Sequence, residues 1–403
     1  MAEMTLQSIF TPEIIADPYP MYRQLRESNP ALALPDANLL VLSSFELVQA
    51  TLKHKQLGHG DDPRLTQSEL DEFLSSPARA SLRRTMLLKN PPDHTRLRGL
   101  VVRAFDARRV EAMRDSVIRI ANDLVDGFID AGPGGDLVRL FSHPLPVIVI
   151  CDMLGIPEAD RSQFVTGTRI SGRLIDPTPM TPEELQQANE NVLESQIYFE
   201  SLCDERRANP TDDLITGLVE SEDEHGKLTK DELTSNIALL FAAGHETTVN
   251  LLGNALLALY RNPDQLQLLK DDLDLMPNAV EEFLRYDSSV QLSARSALES
   301  TSLGGMEVTK GTQIITLLAA ANRDPEVFDD PDTLDITRKG AKLQSFGGGI
   351  HYCLGAQLAR LEAIEALKVL LQRLPNLRLL EIDNPDWKQT ITLRGVKSMP
   401  VTW

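Results

Sequence analysis

The longest apolar pattern in the chain begins after Thr229. Thr229 and Glu232 have the spacing of a capping box, and a helical periodicity then continues to Asn262 and Pro263. About thirty residues that rise 1.5 Å each make a helix of roughly 45 to 50 Å. Because its centre is apolar on all sides, we expect this helix to cross the middle of the fold.

Shorter patterns predict further elements. Residues 144–157 form an apolar helical segment, and the leucines after residue 355 also have helical spacing. The short run 39–42 suits a buried strand, residues 22–27 suit a helix, and residues 55–80 suggest a long irregular loop. We therefore expect a mainly α-helical fold with a minor β region, in one domain over residues 1–403.

Composition and charge narrow the class of protein. The chain has 403 residues, of which 42% are hydrophobic and 25% charged, as in an ordinary globular protein. Its net charge of -19 argues against nucleic acid or an anionic membrane as a general partner. The chain opens without a secretory signal, and its apolar runs are too short to span a membrane. Three widely separated cysteines fit a reducing compartment, so we expect a cytoplasmic protein.

One window reverses the charge of the chain. Residues 79–109 carry nine basic and two acidic side chains, a net charge of +7. This window is either a solvated surface or a docking site for an acidic partner. Within it, His94 and Arg98 are four residues apart and share a helix face. The basic residues are Arg79, Arg83, Arg84, Lys89, Arg96, Arg98, Arg103, Arg108 and Arg109.

The segment 346–355, FGGGIHYCLG, contains four glycines and Cys353. Glycine permits unusual backbone angles and close approach, so Cys353 is expected on a tightly held loop. The following helix places the cysteine at a helix N-terminus, which lowers a thiol pKa. A single cysteine is commonly a buried core residue, but such a residue needs no glycine loop. Three cysteines are too few for a tetracysteine zinc or iron–sulfur site, whereas one thiolate can ligate a haem iron.

This segment resembles the haem-binding loop of the cytochrome P450 superfamily, Phe-Gly-x-Gly-x-x-x-Cys-x-Gly. The resemblance implies a soluble bacterial member with a triangular, α-rich fold and haem b between the long helix and the loop. Cys353 would be the iron ligand, and Phe346, Gly347 and Gly355 would contact the haem. Thiolate ligation in this family favours cleavage of the O–O bond of dioxygen.

A second cluster lies in the middle of the long helix. His245 and Glu246 begin a zinc-protease motif, but residue 249 is valine, so the second metal-binding histidine is absent. The cluster instead resembles the oxygen-binding groove of the family. There Ala243 borders the haem, Gly244 leaves room for dioxygen, Thr247 hydrogen-bonds at the oxygen site, and Glu246 feeds protons.

Two alternatives remain open for this cluster. A threonine at this position can simply bond back to its own helix, beside an exposed glutamate. Side chains of adjacent helical residues also point about 100° apart. On a regular helix, Glu246 and Thr247 therefore cannot both face the haem iron. Either the helix bulges near Gly244, or Glu246 acts through water or by rotating.

Other matches extend the resemblance. The family pattern implies that His94, Arg98, Arg295 and His351 bind the haem propionates. Glu282 and Arg285 would steady the cysteine loop, with Arg338 as a third member. From spacing alone this pair could equally be a surface salt bridge. Residues 163–192 match the region that covers the substrate in related enzymes.

The resemblance implies a monomeric monooxygenase that inserts one oxygen atom from O2 into a C–H bond or double bond of a small hydrophobic substrate. Electrons from NAD(P)H would arrive through a ferredoxin or flavodoxin-type donor at the basic surface 79–109. One rival is a peroxygenase or isomerase, although such relatives typically lose the acid–alcohol pair. Another is a haem-thiolate sensor or carrier without turnover, which needs no electron-donor surface. The sequence does not identify the substrate.

Overall fold

The computed structural model describes residues 11–61, 63–105, 107–162, 168–223, 226–340 and 342–403. The α-helices of these ranges are α1 (Pro12–Ala16), α2 (Tyr19–Ser28), α3 (Phe45–Lys53), α4 (Gln67–Leu74), α5 (Pro77–Arg84), α6 (Asp93–Ala104), α7 (Ala107–Ala112), α8 (Arg114–Asp130), α9 (Pro144–Leu154), α10 (Pro182–Ala208), α11 (Leu214–Glu220), α12 (Lys230–Arg261), α13 (Pro263–Asp271), α14 (Met276–Tyr286), α15 (Leu318–Ala321) and α16 (Ala356–Arg373). The strands are β1 (Ala31–Leu34), β2 (Leu39–Leu42), β3 (Leu57–Gly58), β4 (Gly135–Asp136), β5 (Glu222–Asp223), β6 (Gly226–Lys227), β7 (Leu292–Ala297), β8 (Thr301–Leu303), β9 (Met306–Val308), β10 (Gln313–Leu317), β11 (Arg378–Leu379) and β12 (Pro400–Thr402).

Helix α12 is the central element, as its pattern predicted. Thr229 caps it, and the capping box with Glu232 is present in both directions. The helix has 32 residues and ends where Pro263 begins α13, and it packs against α9, α10, α14 and α16. No helix in the described part of the chain is both long enough and apolar enough to cross a membrane.

The main sheet has the strand order β1-β2-β10-β7-β3. Strand β2 is buried along its whole length, which confirms the predicted strand, and it pairs in parallel with β10. Strand β10 pairs antiparallel with β7 and places Ile314 opposite Arg295. The sheet therefore fixes Arg295 next to a buried strand.

The prediction of an irregular loop over residues 55–80 was wrong. This segment contains β3, α4 and the start of α5. Thr66 and Glu69 form a capping box that starts α4, and Ser76 caps α5 ahead of Pro77. The same capping signal that identified α12 was therefore present here.

The largest hydrophobic cluster extends from Met86 to Val401. It contains Cys151 and Cys203, and burial raises the pKa of these thiols to about 12 and about 11. Both cysteines are therefore core residues. The cluster draws on segments from most of the chain, and one domain over residues 1–403 stays a prediction.

Candidate active site

The Cys353 loop is closed by a backbone hydrogen bond, in which the N–H of Cys353 donates to the carbonyl of Phe346 at 2.9 Å. Gly347 and Gly349 have φ angles of 66° and 63°, in the left-handed region that favours glycine. A Cβ atom at Gly349 would lie 2.1 Å from the carbonyl oxygen of Leu52 in α3. The turn and its contact with α3 require these glycines, and the loop presents Cys353 just before α16.

Burial raises the pKa of the Cys353 thiol, while the N–H of Gly355 and the charges of Arg98 and Arg360 lower it. The expectation that the helix N-terminus lowers this pKa overall was wrong, because burial outweighs those influences. A metal ion bound to the sulfur deprotonates a thiol outright. Cys353 retains accessible surface although protein atoms enclose it, as a side chain lining an internal cavity does. No atom lies within 4 Å of a Cβ built on Gly355.

Three histidines meet beside this loop. They are His94 of α6, His351 of the short 3-10 turn before Cys353, and His59 after β3. The ring centroids of His94 and His351 are 4.3 Å apart, and those of His59 and His351 are 4.9 Å apart. Both ring nitrogens of His94 and Nε2 of the other two are buried and lack a hydrogen-bond partner among the described residues. The cluster therefore presents several buried nitrogens toward a common space.

Two arginines add positive charge to the histidine cluster. Arg98 donates from Nη2 to the carbonyl of Tyr352 at 2.6 Å, which ties α6 to the cysteine loop. Arg295 is buried in β7, and burial lowers the pKa of its guanidinium to about 10. Burial and then the charges of Arg295, His59, His94 and Arg98 lower the pKa of His351 to about 2. A bound anion would accept from these buried donors and neutralise the charges of the two arginines.

A haem with its two propionate carboxylates fits this site. The carboxylates match the buried imidazoles and arginines, and the open space at Gly355 and the accessible Cys353 thiol would suit a haem whose iron Cys353 ligates. Cys353, His94, Arg98, Arg295 and His351 are thus brought together, as the sequence resemblance implied.

The acid–alcohol pair lies on an unbroken stretch of α12, so a bulge near Gly244 does not orient it. The Thr247 hydroxyl donates to the carbonyl of Ala243 at 2.9 Å, and so it does bond back to its own helix. Glu246 is 9% exposed, and its Oε1 accepts from Nζ of Lys388 at 2.5 Å. Glu246 therefore points away from Thr247 and can act only through water or by rotating.

The structure does not support the expected role of Gly244 in leaving room for dioxygen. A Cβ atom there would point toward α9 and lie 3.2 Å and 3.3 Å from side-chain atoms of Ile150. The missing side chain instead permits close packing of α12 on α9. Ala243, one residue earlier, is the exposed position in this part of the helix.

Glu282 and Arg285 form a buried ion pair, with side chains 1% and 0% exposed. Arg285 donates from Nε and Nη2 to the two carboxylate oxygens at 2.8 Å and 2.7 Å. Arg338 approaches the same carboxylate at 3.2 Å, with a side chain 14% exposed. The geometry is that of a buried triad, and the surface-bridge alternative is wrong for this pair.

The basic window 79–109 divides between two places. Arg79, Arg83 and Arg84 lie on α5, which packs on α10 and α12. Arg83 pairs with Asp61 at 2.7 Å and Arg84 with Asp231 at 3.7 Å, so acids offset part of this charge. Lys89 precedes α6, the later basic residues belong to α6 and to α7, and α7 contacts α16, the helix that follows the cysteine loop.

Two residues of the site were missed by sequence reasoning. His59 lay in the segment interpreted as a loop, where its only signal was a histidine between two glycines. Lys388 carried no local signal, because it meets Glu246 only through the fold. Part of the region 163–192 can be placed: Asp176 accepts from the N–H groups of Ile391 and Thr392 at 2.8 Å and 2.9 Å. Residues 163–167 lie outside the described residues.

Comparisons with known proteins agree on one family. The family model described as Cytochrome P450 matches residues 32–381. The chain is 42% identical over 396 residues to cytochrome P450 133B2 of Xylella fastidiosa, covering 98% of each chain. It is 38% identical over 400 residues to cytochrome P450 monooxygenase PikC of Streptomyces venezuelae, covering 97% of this chain and 92% of that one. The solved structure of P450BioI in complex with acyl carrier protein ligated to hexadec-9Z-enoic acid superposes with a TM-score of 0.89 at 34% identity, covering 98% of this chain and 100% of that chain.

Proposed function

The chain belongs to the cytochrome P450 family, and on that premise we propose how its own residues serve the reaction. It is a haem-thiolate monooxygenase. When bound, the haem supplies the activation of dioxygen, and its cysteine ligation favours O–O cleavage. The protein contributes orientation, protons and access for substrate and electrons.

In the proposed site Cys353 is the iron ligand, and His94, Arg98, Arg295 and His351 hold the propionates. The observation that carries this assignment is the cluster of buried, unpartnered nitrogens beside the Cys353 loop. A carboxylate would accept from one N–H of each of these imidazoles, and an unmet buried donor otherwise costs about 1 to 3 kcal/mol.

Proton delivery is proposed to pass from Glu246 to Thr247. The Thr247 hydroxyl can leave the carbonyl of Ala243 and donate at the oxygen site, because a hydroxyl rotates freely. Glu246 is held by Lys388, which also donates to Asn250 Oδ1 at 2.7 Å. Transfer of a proton from Glu246 to Thr247 therefore requires either rotation of Glu246 out of its ion pair with Lys388 or a water molecule between Glu246 and Thr247.

The proposed substrate is a small hydrophobic molecule that binds beneath the segment 168–176. A Cβ atom at Gly172 would lie 3.1 Å from Leu393 and 3.8 Å from Glu246, so this segment lies over the middle of α12. Asp176 attaches it to the C-terminal turn. Relatives are named as vitamin D(3) 25-hydroxylase and 6-deoxyerythronolide B hydroxylase, which supports hydroxylation as the reaction.

The proposed electron donor is an acidic ferredoxin or flavodoxin-type protein that docks beside the Cys353 loop. Arg103 on α6 and Arg108 on α7 are exposed, and so are the apolar side chains of Val102 and Ile350 and the ring of Tyr352. Arg98 ties α6 to the loop and α7 contacts α16, so these residues are proposed to form one docking surface with apolar and basic contacts. The α5 arginines are excluded from this proposal, because α5 packs on α10 and α12 and because Arg83 and Arg84 pair with acids. We expect the double variant R103E and R108E to slow electron transfer in a salt-dependent manner without changing substrate affinity.

The matched control is R79E on α5, which leaves the proposed surface intact. Equal electron-transfer rates for R103E/R108E and for R79E would contradict docking beside the loop.

Three free cysteines also support a cytoplasmic location.

The overall function is tested with haem-loaded protein, surrogate redox partners and a library of apolar compounds. Binding of a substrate should shift the Soret band to shorter wavelength, and NADPH consumption with formation of a hydroxylated product should follow. A sensor or carrier would give the shift without product, and a peroxygenase would form product from hydrogen peroxide but not from NADPH.

A further inference from the structure

His59 is fixed in place by a side chain from another part of the chain. The backbone N–H of His59 donates to Oδ1 of Asn90 at 2.9 Å, and Nδ2 of Asn90 donates to the backbone carbonyl of His59 at 2.6 Å. Gly58 makes this clamp possible, because a Cβ atom there would lie 2.2 Å from Oδ1 of Asn90. Asn90 therefore holds both the N–H and the carbonyl of His59.

The ring of His59 points into the histidine cluster. It meets His351 edge to face, at 4.9 Å and 87°, and its Nε2 is buried without a hydrogen-bond partner in the described residues. Burial, and then the charges of Arg295, His94 and Arg83, lower the pKa of His59 to about 3, and an imidazole can donate from one ring nitrogen even when it is neutral. A buried imidazole nitrogen without a partner is costly, and the same deficit occurs at His94 and His351.

The other donors of the site are already partly used. Arg98 gives one N–H to Tyr352, and Nη1 of Arg295 donates to Oγ of Ser293 at 2.9 Å and to the carbonyl of Ala294 at 2.7 Å. Two ionised carboxylates offer about eight acceptor positions. The site therefore has capacity for a further donor.

We propose that His59 is a third histidine that donates from Nε2 to a haem propionate, beside His94 and His351. This inference rests on the proposed haem site. The segment after β3 would then belong to the haem pocket, and the ring contact between His59 and His351 would join this segment to the glycine loop.

The test compares haem loss from three loaded variants, measured as transfer to apomyoglobin. H59F keeps an aromatic ring against His351 but removes the donor, and it should lose haem about tenfold faster, equivalent to about 1.4 kcal/mol. H59Q restores an N–H donor and should stay within about threefold of the wild-type rate. H54F is the matched control, because His54 contacts Gln56 and Thr301 instead of this cluster, and it should lose haem at the wild-type rate.

A second arm uses haem dimethyl ester, in which both propionates are esterified. The difference between H59F and wild type should become much smaller with this ligand, because an uncharged ester carbonyl is a weaker acceptor than a carboxylate. A wild-type rate for H59F overturns the proposal, as does equal acceleration in H59F and H59Q, which would indicate packing alone. A difference of undiminished size with the ester also overturns it. If wild-type protein fails to give a cysteinate-ligated haem spectrum, the proposed function itself fails, independently of His59.

Discussion

Replacement of Glu282 by alanine is the sharpest test of how the cysteine loop is supported. All the donor nitrogens of Arg285 are engaged: two bonds go to Glu282, and three go to backbone carbonyls of Asn322, Pro331 and Thr333 at 3.1, 2.7 and 3.0 Å. The Asn322 side chain in turn accepts from the N–H of Gln344 at 2.8 Å. Through Asn322, the ion pair is thus connected to the backbone of Gln344, two residues before the cysteine loop.

The expected loss of stability follows from burial. Removal of one partner from a buried pair leaves an uncompensated charge and costs about 3 to 5 kcal/mol. Whole domains have a free energy of unfolding of only about 5 to 15 kcal/mol. Glu282→Ala should therefore lower the free energy of unfolding by about 3 to 5 kcal/mol and greatly reduce the haem content of purified protein.

The neighbouring residue supplies a matched control. Glu281 pairs with Arg360, but these side chains are 33% and 27% exposed, and pairs of this kind are worth about 0 to 1 kcal/mol. Denaturant unfolding and haem content should be measured for Glu282→Ala and Glu281→Ala side by side. Normal haem content and a loss below about 1 kcal/mol for Glu282→Ala would refute the reasoning, because the pair would then behave like its exposed neighbour.

Three further predictions concern the ligand, the protons and a buried acid. Cys353→His should abolish the long-wavelength Soret band of the ferrous carbon monoxide complex, and a variant that keeps this band and turnover would end the thiolate assignment. Thr247→Ala should leave haem content and substrate affinity nearly unchanged while NADPH oxidation yields hydrogen peroxide, whereas Glu246→Gln should slow turnover; full coupling in Thr247→Ala would show that another group donates. Burial raises the pKa of Glu362 well above its ordinary value, so folding loses stability as pH rises above about 4.3, where the unfolded carboxyl ionises. Glu362→Gln should therefore gain stability over wild type between pH 5 and pH 8, by at most about 1.4 kcal/mol per pH unit, and an equal difference at both pH values in denaturant titrations would contradict this.

The sequence alone determined the features that rest on local spacing. The capping box at Thr229 and the apolar run after it predicted α12 within a residue, because helix ends and periodicity are encoded by neighbours a few positions apart. The glycine pattern around Cys353 predicted a tight loop, and its φ angles at Gly347 and Gly349 require glycine. Where the same local signal was overlooked, as at Thr66 and Glu69, a helix was missed.

The tertiary structure decided the features that depend on which distant segments meet. Spacing could not show that Glu282 and Arg285 are buried, since the same spacing occurs on exposed helix faces. Likewise, the local pattern near Cys353 predicted a lowered thiol pKa, but the burial produced by the assembled fold raises it. The partner of Glu246 lies 142 residues away, and His59, whose backbone is held by Asn90, meets the distant His351 only in the folded chain. Such contacts are set by long-range packing, which gives burial and electrostatic environment to side chains whose identities the sequence already contains.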